Sequence, residues 1–145
     1  MFGNLLKEKL SGAAQRLNGN TDALEAVCAA CALVAAADGD IDESEVEAAI
    51  KAVVSNATLA AAFDAGKIET VASRMLDRAA AGRAGRAGLM GEIRDIKDKD
   101  KDMRELVLFA SMDVADADGD VDEAEKKMLE RIAAELGLKF GDYDL

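Results

Sequence analysis

The sequence predicts an all-α fold, and three observations carry that prediction. There is no proline among the 145 residues, and proline is the residue that most strongly breaks a helix. Hydrophobic residues make up 50% of the chain but aromatics only 3%, with alanine, the best helix former, carrying much of the apolar count. Apolar residues also recur at helical spacing in segment after segment, separated by Gly, Asn and Asp turn signals. The length fits one domain, 1–145, large enough to bury a core without covalent staples.

Taken in order, residues 2–17 read as an amphipathic helix with Phe2, Leu5, Leu6, Leu10, Ala13, Ala14 and Leu17 on one face. Asn18-Gly19-Asn20 ends it through a glycine suited to a left-handed cap. Thr21 or Asp22 can cap the next helix, which runs to about Ala37. An acidic turn follows, then a helix from about Glu43 to Ser55, so that 21–55 form a first helix–turn–helix unit. Asn56-Ala57-Thr58 breaks the chain before a short helix to Phe63 or Asp64. Lys67 to Ala80 is helical, apolar at Ile68, Val71, Ala72, Met75 and Leu76. Within Ala81 to Gly91 a glycine recurs every third residue, at 82, 85, 88 and 91. Each costs a helix interior about 1 kcal/mol relative to alanine; the series suits a flexible connection or a helix that needs close approach to a neighbour, and a weak helix from near Gly85 to Ile96 is expected. The sign-alternating stretch Lys97 to Asp102 is a solvated loop or helix start, closing the connecting region 56–99. A strong helix from about Asp100 to Ala115, a second acidic turn and a helix from Glu123 to Leu136 make a second unit, 100–145. Gly137 ends that helix, and Leu138 is placed for the hydrophobic contact common after such a cap.

The charge is concentrated. The chain carries 29 acids, 18 bases and a formal charge of -11. Residues 38–47 hold six acids and 113–125 hold seven, with no base in either segment; the rest has 16 acids against 18 bases. The two segments repeat one another. Asp38-Gly39-Asp40-Ile41-Asp42-Glu43-Ser44-Glu45 aligns with Asp118-Gly119-Asp120-Val121-Asp122-Glu123-Ala124-Glu125 at an offset of 80, six of eight positions being identical. Two related helical hairpins in one bundle are the simplest arrangement of such a pair.

Helix capping explains part of each turn. Asp42 and Asp122 stand at N-cap positions with Glu45 and Glu125 three residues on, the spacing of a capping box. It does not explain Asp38, Asp40, Asp116, Asp118 and Asp120. Carboxylates this crowded repel one another and raise one another's pKa unless a cation neutralises them. Hard oxygen donors select Ca²⁺, or Mg²⁺, over zinc and copper. The candidate metal ligands are therefore Asp38, Asp40, Asp42, Glu45, Asp116, Asp118, Asp120, Asp122 and Glu125. These are not EF-hand loops. With Gly119 as the sixth loop residue, Asp116, Asp118, Asp122 and Glu125 fall on ligand positions, but the first is Val114, and the first turn has Val34 and Ala36 where two ligands belong. Ligands converging from both turns onto a shared site would avoid that deficit. The alternative is a metal-free interaction domain whose acidic face docks a basic partner.

The doubled unit, with Ala35-Ala36-Ala37-Asp38-Gly39-Asp40 and Glu45 in one copy and Ala115-Asp116-Ala117-Asp118-Gly119-Asp120 and Glu125 in the other, resembles the tellurite-resistance protein B (TerB) family. The likeness extends to Phe2-Gly3-Asn4-Leu5-Leu6-Lys7-Glu8-Lys9-Leu10 and to Ala133-Ala134-Glu135-Leu136-Gly137-Leu138. It implies a compact bundle of about seven helices with an acidic surface, in a bacterial or phage stress-response setting. It also implies divalent-metal binding and a scaffolding role among other stress-response proteins of the same system, some at the membrane. Asp38, Glu45, Asp118 and Glu125 are the residues it carries over, with Asp40, Asp42, Asp116, Asp120 and Asp122 as further acidic candidates.

Other features narrow the function. Without His there is no imidazole base, Ser-His-Asp triad or His-ligated zinc, and no enzyme activity is expected. So acidic a chain lacks the basic footprint a nucleic-acid binder needs. Cys28-Ala29-Ala30-Cys31 lies inside an apolar helix, not at the helix N-terminus that redox chemistry requires, so the two cysteines read as small core residues. The basic residues from Arg74 to Arg104 would make a second, basic surface if they shared a face; interleaved acids dilute it. No signal peptide or spanning segment is visible, so a cytoplasmic location is expected, with peripheral membrane association as an option for the N-terminal helix. No small-molecule substrate is indicated.

Overall fold

The computed structural model describes residues 20–117 and 120–143. The N-terminal helix expected over 2–17 lies outside the described residues, as do Asp118 and Gly119 of the second turn. Within them the chain is all-α: α1 (Thr21–Ala35), α2 (Glu43–Val54), α3 (Ala57–Ala62), α4 (Ala65–Ala80), α5 (Arg83–Arg94), α6 (Lys101–Asp116), α7 (Glu123–Glu135) and a closing 3₁₀ turn, Phe140–Tyr143.

Side-chain caps set most of the helix starts. Asn20, Asp42, Asn56, Asp64, Asp100 and Asp122 each accept a hydrogen bond from the backbone N–H three residues on, satisfying one of the donors a helix N-terminus leaves unpaired. The cap of α1 is thus Asn20 rather than Thr21 or Asp22. The internal repeat is structural as well as sequential. The caps Asn20 and Asp100, and Asp42 and Asp122, stand 80 residues apart, as do the starts of α1 and α6 and of α2 and α7. At the far end Gly137 (φ 72°) turns the chain after α7. The Leu138 N–H then reaches the Ala133 carbonyl at 2.8 Å while its side chain is buried, the hydrogen bond and apolar contact expected of such a cap.

Helix α1 forms the centre. Eleven of its 15 residues are buried, so it is apolar all round, which suits only a helix enclosed by others. It packs against α2, α4, α5, α6 and α7. Alanines at 23, 26, 29 and 30, all fully buried, keep its surface low, so neighbours approach closely; Leu24, Leu33, Leu108, Leu129 and Ile132 fill the remaining space. Cys28 and Cys31 are buried free thiols in this helix, the core residues the sequence suggested.

The basic segment does not form one free surface. Arg74 pairs with Glu25 at 3.4 Å, Arg78 with Glu92 at 3.1 Å, and Arg94 with Glu135, tying α4 to α1, α4 to α5 and α5 to α7. Arg104 Nη1 donates to the Leu136 carbonyl at 2.8 Å and its Nε to that of Lys99 at 3.0 Å, covering the C-terminal end of α7 with a cation. No described helix is long and apolar enough to cross a membrane.

Candidate functional site

Packing of the two repeat units brings their acidic turns to one place. Glu45 of α2 and Glu125 of α7, equivalent residues of the repeat, line the same small cavity, together with Ala35, Ala48, Ala49, Val114 and Ala117. Its volume is about 70 Å³, room for a few water molecules. Among the described residues the rest of the lining is alanine and valine, so the two carboxylates are the ionisable groups there. The small residues were not among the sequence candidates. The alanine-rich ends of α1 and α6 were the available signal, because only side chains that short leave an opening between converging helix ends.

The other acids divide by role. In the first turn, Ala36 N–H bonds to the Ala32 carbonyl, Ala37 N–H to Val34, and Gly39 N–H to Ala36. Gly39 sits at φ 96°, where a side chain would be strained. Asp38 Oδ1 accepts from the Asp40 N–H at 3.3 Å, and Asp42 Oδ1 accepts from both the Glu45 N–H and the Ser44 hydroxyl at 2.8 Å. In the second turn Asp122 accepts from the Glu125 N–H at 2.8 Å and Glu125 Oε1 accepts in return from the Asp122 N–H at 3.1 Å. The capping box is therefore closed at Asp122 and not at Asp42. Asp38, Asp42 and Asp122 do local structural work. Asp116 is the last residue of α6, and Asp120 is exposed ahead of the Asp122 cap. Among the described residues no group of three or more Asp, Glu or Cys side chains converges as a metal site would require; Asp118 lies outside them.

Electrostatics separate the acids further. Crowding was expected to raise the carboxyl pKa values, yet that of Asp42 is lowered, because the Glu45 N–H and Ser44 hydroxyl stabilise its charged form. Glu45, though exposed, is raised, by slight desolvation first and then by the Asp42 and Asp38 charges. Asp113 on α6 is raised by burial and by Asp116.

A raised folded-state pKa means the ionised form is disfavoured by folding. The Glu45 cost is therefore present well above its ordinary pKa of 4.5 and fades as pH falls through that region. Glu45→Gln is accordingly expected to raise the melting temperature slightly at neutral pH. Melting curves of both proteins from pH 7 down to pH 3 should converge near the acid end, and a gain that persists there contradicts the electrostatic origin.

A family model described as tellurite resistance protein TerB matches residues 24–145, a span that covers both acidic turns and all but the first residues of α1. No curated relative and no solved structure matches the chain.

Proposed function

Because the chain belongs to the tellurite resistance protein TerB family, we propose that it is a non-catalytic acidic module that holds a hard divalent cation, Ca²⁺ or Mg²⁺, between its two acidic turns and scaffolds a protein complex of a stress-response system. The observation that carries this reading is the convergence of Glu45 and Glu125, one from each repeat, on a single cavity. Two carboxylates with water completing the shell suit Mg²⁺, and suit Ca²⁺ weakly. Glu45 and Glu125 would hold the ion. Asp42 and Asp122 keep their capping bonds, and Asp38, Asp40, Asp116 and Asp120 add negative potential. The bound cation would neutralise the pair and lock the relative position of α2 and α7, giving a partner a fixed surface.

Calorimetric titration of chelator-treated protein with Ca²⁺ and with Mg²⁺ tests this. One saturable site is expected, with Kd on the order of 10⁻⁴–10⁻³ M, the weak end of the range that calcium sites span as ligand charge falls. Binding should be lost in the Glu45→Gln/Glu125→Gln double variant, whose conserved shape leaves the fold intact. Absence of binding, or binding that survives the double substitution, overturns it. The second reading, a metal-free acidic face that docks a basic partner, is favoured by the lack of a three-carboxylate group among the described residues.

A further inference from the structure

A second cleft, of about 370 Å³, lies between α5, α7 and α1 and is lined by Arg83, Arg86, Ala87, Met90, Met128, Arg131 and Leu33. It shares no residue with the cavity between the acidic turns. Arg83, Arg86, Ala87 and Met90 follow the i, i+3, i+4, i+7 spacing that puts them on one face of α5; Met128 and Arg131 face them from α7. Among the described residues the lining thus combines three guanidinium groups with the apolar side chains of Leu33, Met90 and Met128, and no acid. In a chain of net charge -11 such a site is against the general composition.

The arginines are also badly placed for the helix itself. Arg83 and Arg86 occupy the first turn of α5, where the helix dipole disfavours cations, and as like charges three apart they repel. No acid stands in that turn, and the N-cap Gly82 supplies no side-chain bond to the helix N–H groups. Among the described residues neither Arg83 nor Arg131 has an ion-pair partner, whereas Arg74, Arg78 and Arg94 nearby are all paired. Arg86 has only a long bond, 3.4 Å, from Nη1 to the Ala79 carbonyl. A bound anion would relieve each of these costs together. Planar guanidinium forks suit phosphate oxygens. The volume exceeds what a bare oxyanion fills and lies in the range of small-ligand pockets, and the thioether and leucine side chains would take an attached hydrocarbon group.

We propose that the α5–α7 cleft binds a phosphate monoester carrying a short apolar group, its phosphate held by Arg83, Arg86 and Arg131 and its hydrocarbon laid on Leu33, Met90 and Met128. The chemistry is common to a soluble alkyl phosphate and to a phosphatidic acid headgroup. Titration of the full chain with hexyl phosphate at low salt, followed by backbone amide NMR, should give one saturable site with shifts at 82–90 and 128–131. Inorganic phosphate should bind more weakly at the same amides. Arg83→Gln/Arg131→Gln should weaken both at least tenfold while leaving any Ca²⁺ binding unchanged and the melting temperature equal or slightly higher, since Arg83 no longer opposes the helix dipole. Met90→Gln/Met128→Gln should remove the preference for hexyl phosphate over phosphate. Co-sedimentation with phosphatidic acid vesicles that depends on the same arginines would identify a lipid source; its absence, with hexyl phosphate still bound, a soluble one. No saturable binding of hexyl phosphate, or affinity unaltered by the double arginine substitution, overturns the proposal. Because the Ca²⁺ titration reads different residues, either site can fail without the other.

Discussion

Replacing Gly85 with alanine is expected to destabilise the protein by about 3 kcal/mol and to lower its melting temperature by roughly 10 °C. A Cβ built on Gly85 would lie 1.9 Å from the Arg78 carbonyl oxygen and 3.0 Å from its carbon. Those are backbone atoms at the end of α4, so no rotamer change relieves the clash, and α5 would have to lift away from α4. The gain in helix propensity, about 1 kcal/mol, is too small to offset it. The glycines on either side supply controls. At Gly91 an added methyl meets nothing within 4 Å, so Gly91→Ala should stabilise by about 0.5–1 kcal/mol. At Gly88 it would approach the Arg78 guanidinium at 2.7 Å, the movable end of a side chain paired with Glu92, so a small net effect is expected. Thermal melts of the three variants should order Gly91→Ala above wild type and Gly85→Ala far below it. Equal effects would mean that α4 and α5 do not approach as described.

That series also shows what sequence could and could not disclose. The three-residue spacing of glycines was plain, and close approach to a neighbour was one of its readings, but the spacing could not assign that task among four residues. Gly82, at φ 106°, is the N-cap; Gly85 admits a neighbouring helix; Gly88 stands beside Arg78; Gly91 has open space around it. Close approach is a tertiary fact, and nothing local distinguishes a glycine that needs it from one that does not. Hence the helix begins at Arg83 rather than near Gly85. Elsewhere local rules sufficed, because the caps Asp42, Asn56, Asp64, Asp100 and Asp122 act within three residues of themselves, and apolar periodicity marks the buried face of each helix.

The site divides along the same line. The doubled acidic motif and its offset of 80 were legible, since repetition needs only the sequence. Which acids meet was not. Asp38 and Asp42 turn inward on their own backbone, while Glu45 and Glu125 reach one cavity because α1 and α6 end in small residues between α2 and α7. The two caps also differ in their partners: Ser44 donates its hydroxyl to Asp42, whereas the corresponding residue in the second turn is Ala124, which has none. The arginine cleft escaped notice for a related reason. Arg131 is 45 positions from Arg86, and only the packing of α5 beside α7 puts them around one space.

The cysteines should be nearly inert until the bundle opens. Burial pushes the Cys28 thiol from 9.0 up to about 12 and that of Cys31 well above its ordinary value. For Cys28 that shift alone reduces the reactive thiolate about a thousandfold at neutral pH. Both residues sit in the helix that contacts five others, so a reagent can reach them only when most of the core separates, and their labelling should track the global unfolding free energy. Labelling with a chromogenic disulfide in native buffer is therefore expected to be at least about a thousandfold slower than in concentrated urea, with both thiols reacting at one rate. Gly85→Ala should accelerate the native-state reaction by about a hundredfold, the factor that 3 kcal/mol of lost stability predicts when opening is a pre-equilibrium. Stability should also decline as pH rises past 9, because the unfolded chain can release thiol protons that the folded one retains. Rapid labelling of native protein, or one cysteine reacting far ahead of the other, would place α1 at a surface and remove the core on which both proposed sites are mounted.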